Sequence, residues 1–357
     1  MEHVSALQFS QGLLQRFPDP DSYPYTPWSY PQGYLLMGFA KLYEATAEER
    51  FLAYIRRYCD QHVDAAGTIK GFTGCSMDDM MAGAILAWMY AKTGEEKLAL
   101  ACQHIYASFA DYPRTREGGF LHNRDQRPGE MWVDGVFMGQ MFLCRFGKVF
   151  HQPGCFSETA HQLGTIYRYC HAHSGLLVHA YSEDQLAPWA LADGKAREVW
   201  SEGLGWYALI LAEALDLIPE GAEGRGQIAR QMIALLEGLK KTQDPVSGLW
   251  FQVVDKGHLP DNWCDTSGSA MFYYALRRAI STGLVPAEAY AQTLQRAYQG
   301  LQTRIVPAKD GAYDILTACE GLCVQNAYED YVQYPQTVNA QEAVCGMLWA
   351  LVAHDFP

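Results

Sequence analysis

Six segments without a single charged residue place the strongest constraint on how this chain can fold. Each runs for ten or more residues without Asp, Glu, Lys or Arg. A helix that is apolar on all sides has no face for water, so it must be buried among other helices. The six segments are 31–40, 80–91, 135–144, 203–212, 266–276 and 343–353.

Amphipathic helices alternate with these buried segments. In 225–243, Ile228, Met232 and Leu239 share one stripe while Lys240 lies elsewhere, which is typical of a helix with one wet face. Similar patterns occupy 4–17, 48–64, 95–111, 155–173 and 287–303.

Short segments that start with glycine lead into the later buried helices, so the connections repeat as well as the helices. They begin at Gly71-Phe72, Gly119-Phe120, Gly175-Leu176 and Gly248-Leu249. A unit repeated at about 50–60 residues suggests stacked helix pairs that bury each other's faces. We predict an all-α (α/α)6 barrel, with the buried helices as its inner ring and residues 1–357 forming one domain.

The charge balance excludes several partners. The chain has 27 Lys and Arg against 40 Asp and Glu, a net charge of −13, and no basic cluster of four or more residues. Such a surface repels phosphate backbones, so we expect no nucleic acid partner. No run reaches the roughly 18 apolar residues of a membrane span. The opening residues lack the pattern of an export signal, and ten cysteines in that context indicate the cytoplasm.

Polar and aromatic residues concentrate where the buried helices begin. In a barrel of this kind these segments meet at one end, together with six helix N-termini that favour anions. Aromatic rings mixed with carboxylates in a concave ring suit a carbohydrate. The candidates are Trp28, Tyr30, Gln32, Asp78, Asp79, His122, Trp132, Asp134, His179, Trp200, Glu202, Trp206, Trp263, Asp265, Thr266 and 328–331.

Some of these carboxylates have a purely structural alternative. An Asp at a helix start is often only an N-cap, and Asp79 and Asp265 fit that role as well as a catalytic one. Asp134 is different, because it follows Trp132 and precedes ten residues without charge. Burying a carboxylate in such apolar surroundings costs free energy, which favours a functional role for Asp134.

Metal and cofactor motifs are missing from the sequence. Cys319 and Cys323 lack a second nearby pair of ligands, while His171 and His173 would face different ways. Neither a dinucleotide-binding loop nor a nucleophile elbow occurs. We therefore expect carboxylate chemistry that uses no metal and no cofactor.

A family resemblance rests on several motifs in order. The run Met131-Trp132-Val133-Asp134-Gly135 resembles the "MWVD" segment of the unsaturated rhamnogalacturonyl hydrolases, glycoside hydrolase family 105, related to the unsaturated glucuronyl hydrolases of family 88. Together the matching segments span roughly residues 28–350. The others are Trp28-Ser29-Tyr30 with Gly33, and the stretches 200–207, 247–255 and 266–272.

The resemblance implies an enzyme that removes a 4,5-unsaturated uronic acid from the non-reducing end of a lyase-generated oligosaccharide, by hydrating its double bond. It implies that Asp134 is the general acid and base and that Asp78 supports it, although Asp79 stays open as the second carboxylate. The remaining substrate contacts that it implies are Tyr30, His122, Trp132, His179, Glu202 and Trp206.

Protonating a carbon at neutral pH requires a carboxyl group whose pKa lies well above the usual value of about 3.9. Burial beside Trp132 and an ionised Asp78 would raise the pKa of Asp134, whereas the helix N-terminus would lower it. We expect burial and Asp78 to outweigh the helix N-terminus, so that the pKa of Asp134 is raised.

Two positions depart from the family pattern. Glu202 stands where the family usually has an arginine that resembles a substrate contact, and Asn123 stands where a lysine is common. An acid at 202 would repel a uronate unless the helix N-termini, Arg124 or Arg197 compensated. We therefore hypothesise that the accepted sugar, or its linkage partner, differs from the rhamnogalacturonan disaccharide.

Two other functions stay open at this point. An (α/α)6 sugar epimerase or isomerase would use a histidine pair such as His122 and His179 for proton transfer. A noncatalytic carbohydrate-binding relative is compatible with the change at Glu202, although the presence of both Asp78 and Asp134 argues against it. The residues do not distinguish a gluco from a galacto uronate, nor do they set the oligomeric state.

Overall fold

The computed structural model describes residues 3–22 and 28–357, and in these ranges long helices follow the predicted segments. The outer helices are α1 (Ala6–Arg16), α3 (Glu49–His62), α5 (Glu96–Ala107), α7 (Gly154–Cys170), α9 (Arg225–Thr242) and α11 (Ala287–Gln302). The inner helices are α2 (Tyr30–Thr46), α4 (Gly83–Thr93), α6 (Val133–Val149), α8 (Ser201–Leu217), α10 (Thr266–Ser281) and α13 (Gln341–Asp355). A short helix that was not predicted, α12 (Tyr328–Val332), precedes the last of them.

The inner helices close into a ring. Each packs against the next one along the chain, and α13 packs against α2 to complete the circle, while the outer helices cover the ring from outside. The predicted (α/α)6 barrel is therefore confirmed. None of the helices in the described ranges combines the length and the apolarity that crossing a bilayer requires.

Short antiparallel strand pairs join the connecting segments. Strand β1 (Glu130–Trp132) pairs with β2 (Ala180–Ser182), and β3 (Trp250–Phe251) pairs with β4 (Cys264–Asp265). Two further pairs are β5 (Ile305–Pro307) with β6 (Tyr313–Ile315), and β7 (Ala318–Cys319) with β8 (Gln336–Thr337).

Backbone hydrogen bonds link successive connecting segments at one end of the ring. Because each bond joins the start of one inner helix to the next connection, the ends of α4, α6, α8 and α10 are fixed relative to one another. The bonds run from Met77 N–H to the His122 carbonyl (3.0 Å), Val133 to His179 (3.0 Å), Ser201 to Gln252 (2.9 Å) and Thr266 to Thr317 (3.1 Å).

The repeated glycines have a steric role in this arrangement. Gly175 and Gly248 adopt positive φ angles of 80° and 75°. A Cβ at Gly175 would lie 2.2 Å from the carbonyl oxygen of Ala234 in α9, and one at Gly248 would lie 2.3 Å from that of Arg296 in α11. Only glycine permits both the left-handed turn and the close approach to the next outer helix.

A buried ion-pair network joins the inner helices near their C-terminal ends. Glu213 of α8 lies 2.6 Å from Lys41 Nζ in α2 and 2.6 Å from Arg145 Nη2 in α6, and it also accepts a hydrogen bond from Tyr274 of α10. Burial alone would raise the pKa of Glu213, but the two cations and the hydrogen bonds lower it to about 2. The carboxylate is therefore ionised and fully paired.

We predict that Glu213→Ala lowers the free energy of unfolding by about 3–5 kcal/mol, because it leaves two cations without their partner. Urea denaturation would measure this. The matched control is Glu117→Ala, which breaks an exposed pair with Arg168 and should change stability by less than about 1 kcal/mol. Equal effects of the two substitutions would contradict the assignment of Glu213 as the ionic centre of the ring.

Candidate active site

Asp134 lies in the first turn of α6, directly after strand β1. Its side chain is half-buried, and its Oδ1 atom has no hydrogen-bond partner among the described residues. Burial raises the pKa of Asp134 to about 6 even though His122 and the backbone amides at the helix start favour the anion, and the charge of Asp78 adds to the rise. The expectation that burial and the second carboxylate outweigh the helix N-terminus is confirmed.

Asp78 approaches the same place from the turn before α4. Its Oδ2 atom lies 3.7 Å from His122 Nε2, and its side chain is 36% exposed, so the carboxyl group faces the open end of the barrel. Burial and the neighbouring Asp79 raise the pKa of Asp78 to about 7, while Ser76 and Arg127 act in the opposite direction. Two carboxyl groups with raised pKa values therefore interact with His122: Asp78 lies 3.7 Å from its Nε2 atom, and the charge of Asp134 acts on its pKa.

Asp79 is engaged elsewhere. Its carboxylate accepts hydrogen bonds from the Thr73 hydroxyl and, at 3.2 Å, from the backbone amide of Cys75. These contacts hold the loop before α4 in place. The geometry therefore favours Asp78 over Asp79 as the carboxylate that acts with Asp134.

His122 stacks on Trp132 with ring centroids 4.2 Å apart and planes 12° from parallel. Its Nδ1 atom is buried over the first turn of α6, where a Cβ on Gly135 would lie only 2.8 Å away. Burial lowers the pKa of His122, so the ring is neutral at pH 7. Trp132 is itself fixed, because its indole N–H donates to Glu130 Oε2 at 2.8 Å.

His179 lies between two indole rings and is neutral too. Its ring centroid is 5.7 Å from that of Trp132 and 4.4 Å from that of Trp200, and burial lowers its pKa well below the ordinary value. The Tyr331 hydroxyl accepts a hydrogen bond from the Gln325 amide and lies 2.8 Å from His179 Nδ1. When Tyr331 donates its one hydrogen there, the ring hydrogen stays on Nε2, which has no partner among the described residues.

Trp206 supports the site from the core instead of lining it. Its side chain is 1% exposed and meets Tyr30 edge to face at 5.8 Å, with Tyr34 and Phe137 around it. Tyr30 is half-buried and donates its hydroxyl hydrogen to Glu342 Oε1 at 2.6 Å. A sugar ring could therefore meet Tyr30 but not the buried face of Trp206.

Glu202 belongs to a buried group of carboxyls. Ser267 Oγ lies 2.8 Å from Glu202 Oε2 and 2.7 Å from Asp265 Oδ2, yet a hydroxyl has one hydrogen to donate. One carboxyl must therefore hold its own proton. Burial and the nearby Glu342 raise the pKa of Glu202 well above the ordinary value, which assigns the proton to Glu202. The structure therefore favours the uncharged form of the acid that the sequence analysis expected to repel a uronate.

Asp265 acts as a helix cap. Its carboxylate accepts hydrogen bonds from the backbone amides of Gly268 (2.7 Å) and Cys319 (3.0 Å) at the start of α10. The N-cap alternative is thus the one that the structure supports for this residue.

Several residues of the site were not singled out from the sequence. They are Glu342, Ser267, Arg127 and, as a partner for His179, Tyr331. A signal for Glu342 was available, because it directly precedes a charge-free segment as Asp134 and Glu202 do. Tyr331 lies in the short helix α12 and Arg127 in an irregular loop, and neither segment is long enough or regular enough for a sequence period to place the side chain.

No three His, Cys, Asp or Glu side chains in residues 3–22 and 28–357 converge as a group that could hold a metal ion. The expectation of chemistry without a metal stays a prediction.

Comparison with known proteins supports the family resemblance. The sequence model of Glycosyl Hydrolase Family 88 matches residues 9–354. The chain is 26% identical over 318 residues to the unsaturated rhamnogalacturonyl hydrolase YesR of Bacillus subtilis (strain 168), covering 86% of this chain and 84% of that protein.

Solved structures share the fold. A glycoside hydrolase of family 105 from C. acetobutylicum ATCC 824 superposes with a TM-score of 0.91 at 27% identity, over 98% of this chain and 99% of that one. The unsaturated glucuronyl hydrolase from Bacillus sp. GL1 superposes with a TM-score of 0.71 over 97% and 94% of the two chains, and at 12% identity this shows the fold alone. Because the family match extends through all six inner helices, the chain belongs to glycosyl hydrolase family 88, the group to which its sequence motifs pointed together with family 105.

Proposed function

We propose that this chain, as one catalytic domain over residues 1–357, removes a 4,5-unsaturated uronic acid from the non-reducing end of lyase-generated oligosaccharides. The observation that carries the proposal is the half-buried carboxyl of Asp134, whose pKa is raised to about 6 at the open end of the barrel. The relative named as an unsaturated rhamnogalacturonyl hydrolase supports the substrate class.

The reaction is a hydration of the enol-ether double bond. Asp134 donates a proton to carbon 4 of the unsaturated ring, and water adds at carbon 5 while the Asp134 carboxylate takes up the proton that the water loses. The product is a hemiketal at carbon 5. Its ring opens to a keto acid, and the hemiacetal left at carbon 1 then releases the remaining sugar as an alcohol.

Asp78 keeps Asp134 protonated at a useful pH. The negative charge of Asp78 raises the pKa of Asp134, and with pKa values of about 6 and 7 each carboxyl group still carries its proton in part of the molecules near neutral pH. Above pH 7 both lose their protons and the acid is gone. The rate is therefore expected to fall on the alkaline side.

The other proposed contacts surround this pair. Tyr30 is half-buried and offers ring surface, and the ring of His122 lies 3.7 Å from Asp78. Trp132 and His179 are buried like Trp206, so they support the site by packing: Trp132 stacks on His122, and His179 packs against Trp132. We also propose that the enzyme works in the cytoplasm without a cofactor. None of its ten cysteines, all in the described ranges, forms a disulfide, which suits a reducing compartment.

We predict that Asp134→Asn lowers kcat at least a hundredfold, because the amide cannot donate the proton. The measurement is the loss of ultraviolet absorbance of an unsaturated disaccharide, together with the release of the second sugar. Asp125→Asn, an exposed aspartate on the loop after His122, is the matched control and should retain activity. Sugar release without loss of absorbance would contradict hydration. Isomerisation of a saturated sugar would favour an epimerase or isomerase, and substrate binding without turnover by the parent would favour a noncatalytic protein.

We predict that Asp78→Asn moves the alkaline limb of the pH–kcat/KM profile to lower pH. Removal of a negative charge near Asp134 stabilises its anion, so the pKa of Asp134 falls and the acid is lost earlier as the pH rises. The Asp125→Asn control should keep the parental profile. A limb that stays in place or moves upward would show that the two carboxyls do not interact.

The departure at position 202 is expected to set substrate choice. We predict that Glu202→Arg shifts the preference among lyase-generated disaccharides towards the rhamnogalacturonan disaccharide, because it restores the cation that the family pattern has there. Glu202→Gln should keep the parental preference, since burial and the nearby Glu342 already favour the uncharged form of Glu202. An unchanged preference in Glu202→Arg, measured as kcat/KM across the panel, would refute the role of this position in specificity.

A further inference from the structure

The proposed substrate is an anion, yet two positions that carry a cation in the family pattern are Glu202 and Asn123 here. The raised pKa of Glu202 favours its uncharged form, which neither repels nor attracts a carboxylate. Besides the helix N-termini, a cation at the mouth of the barrel would offset the cost of removing the substrate carboxylate from water.

The two arginines nominated from the sequence do not fill this role. Arg124 is held by the carbonyls of Gly74 (2.9 Å) and Ser108 (2.7 Å) and by the carboxylate of Asp111 (2.8 Å). Its donors are therefore committed to the loop structure. Arg197 is exposed, and it is not among the charges that shift the pKa values of Asp78, His122 or His179.

Arg127 is placed differently. Its guanidinium lies 4.1 Å from the ring centroid of Trp132, and its Nη2 donates to Cys323 Sγ at 3.1 Å. No carboxylate within the described ranges forms an ion pair with it. The side chain is thus oriented by an aromatic ring and a sulfur atom, which leaves its charge without an ionic partner.

The charge of Arg127 acts on the site itself. It lowers the pKa of Asp78 and also those of His122 and His179. Geometry links it to the same groups, since Arg127 lies over the ring of Trp132 and His122 stacks on that ring.

We propose that Arg127 binds the carboxylate of the unsaturated uronosyl residue, in place of the cations that the family pattern has at positions 202 and 123. This role rests on the proposed function. The carboxylate is attached to carbon 5, next to the carbon 4 that Asp134 protonates, so anchoring it at Arg127 holds the double bond close to the acid. A guanidinium suits this task because its fork of donors matches a carboxylate.

The test compares an unsaturated disaccharide with its methyl ester, which has the same double bond without the charge. For Arg127→Gln we expect KM for the acid to rise about ten- to a hundredfold, the range for a lost hydrogen bond to a charged group, while KM for the ester changes less than about threefold. Arg127→Lys, which keeps the charge but loses the fork, should lie between the parent and Arg127→Gln. For the parent, added salt should raise KM for the acid and not for the ester.

Arg116→Gln is the control, because it removes an exposed positive charge from a nearby loop and should leave KM for both substrates unchanged. The proposal would be overturned if Arg127→Gln raised KM equally for the acid and the ester. It would also be overturned if Arg197→Gln raised KM for the acid and Arg127→Gln did not. If Arg127→Gln does not fold, as judged by its melting temperature, the Arg127→Lys series and the salt dependence decide instead. A parent that consumes neither substrate would refute the proposed function, whereas an active parent with an unaffected Arg127→Gln would refute this inference alone.

Discussion

Helices that have no polar face must pack against one another and be covered by other helices, and the architecture of this protein follows from that constraint. Once the six inner helices close into a ring, their central parts are buried among apolar side chains. A charged side chain can therefore find water or a charged partner only near the helix ends. The same closure brings the helix starts together, and backbone bonds between neighbouring connections fix them there. The chemistry of the protein is thus confined to the ends of the barrel.

The pKa values of carboxyl groups shift in opposite directions at the two ends of the barrel. Glu213 has two cations within 2.6 Å, so its pKa falls to about 2 and it serves structure. Asp134 and Asp78 form no ion pair with a Lys or Arg among the described residues, and burial together with a neighbouring carboxylate raises their pKa values to about 6 and 7. The pKa values differ because the neighbouring groups differ: cations surround Glu213, whereas Asp134 and Asp78 each have a carboxylate nearby. The raised pKa values make the open end of the barrel suited to acid catalysis.

Much of the site could be predicted because the charge-free segments have sharp limits. The residue directly before a segment starts an inner helix at the open end, which is how Asp134 and Glu202 were found and how Glu342 could have been. The residue directly after a segment marks the other end, where Lys41, Arg145 and Glu213 meet. The burial of Trp206 and the position of Arg127 could not be predicted, because they depend on side-chain packing and on an irregular loop.

Apolar periodicity is a local property of the chain, so it was enough to predict the helices, their alternation, the ring that they form and the acidic residues at its open end. Which of those acids carry charge follows from the folded structure alone. Protonation depends on the distance between groups that are far apart in sequence, such as Glu202 and Glu342 or Asp78 and Asp134. Those distances exist only after the ring has closed.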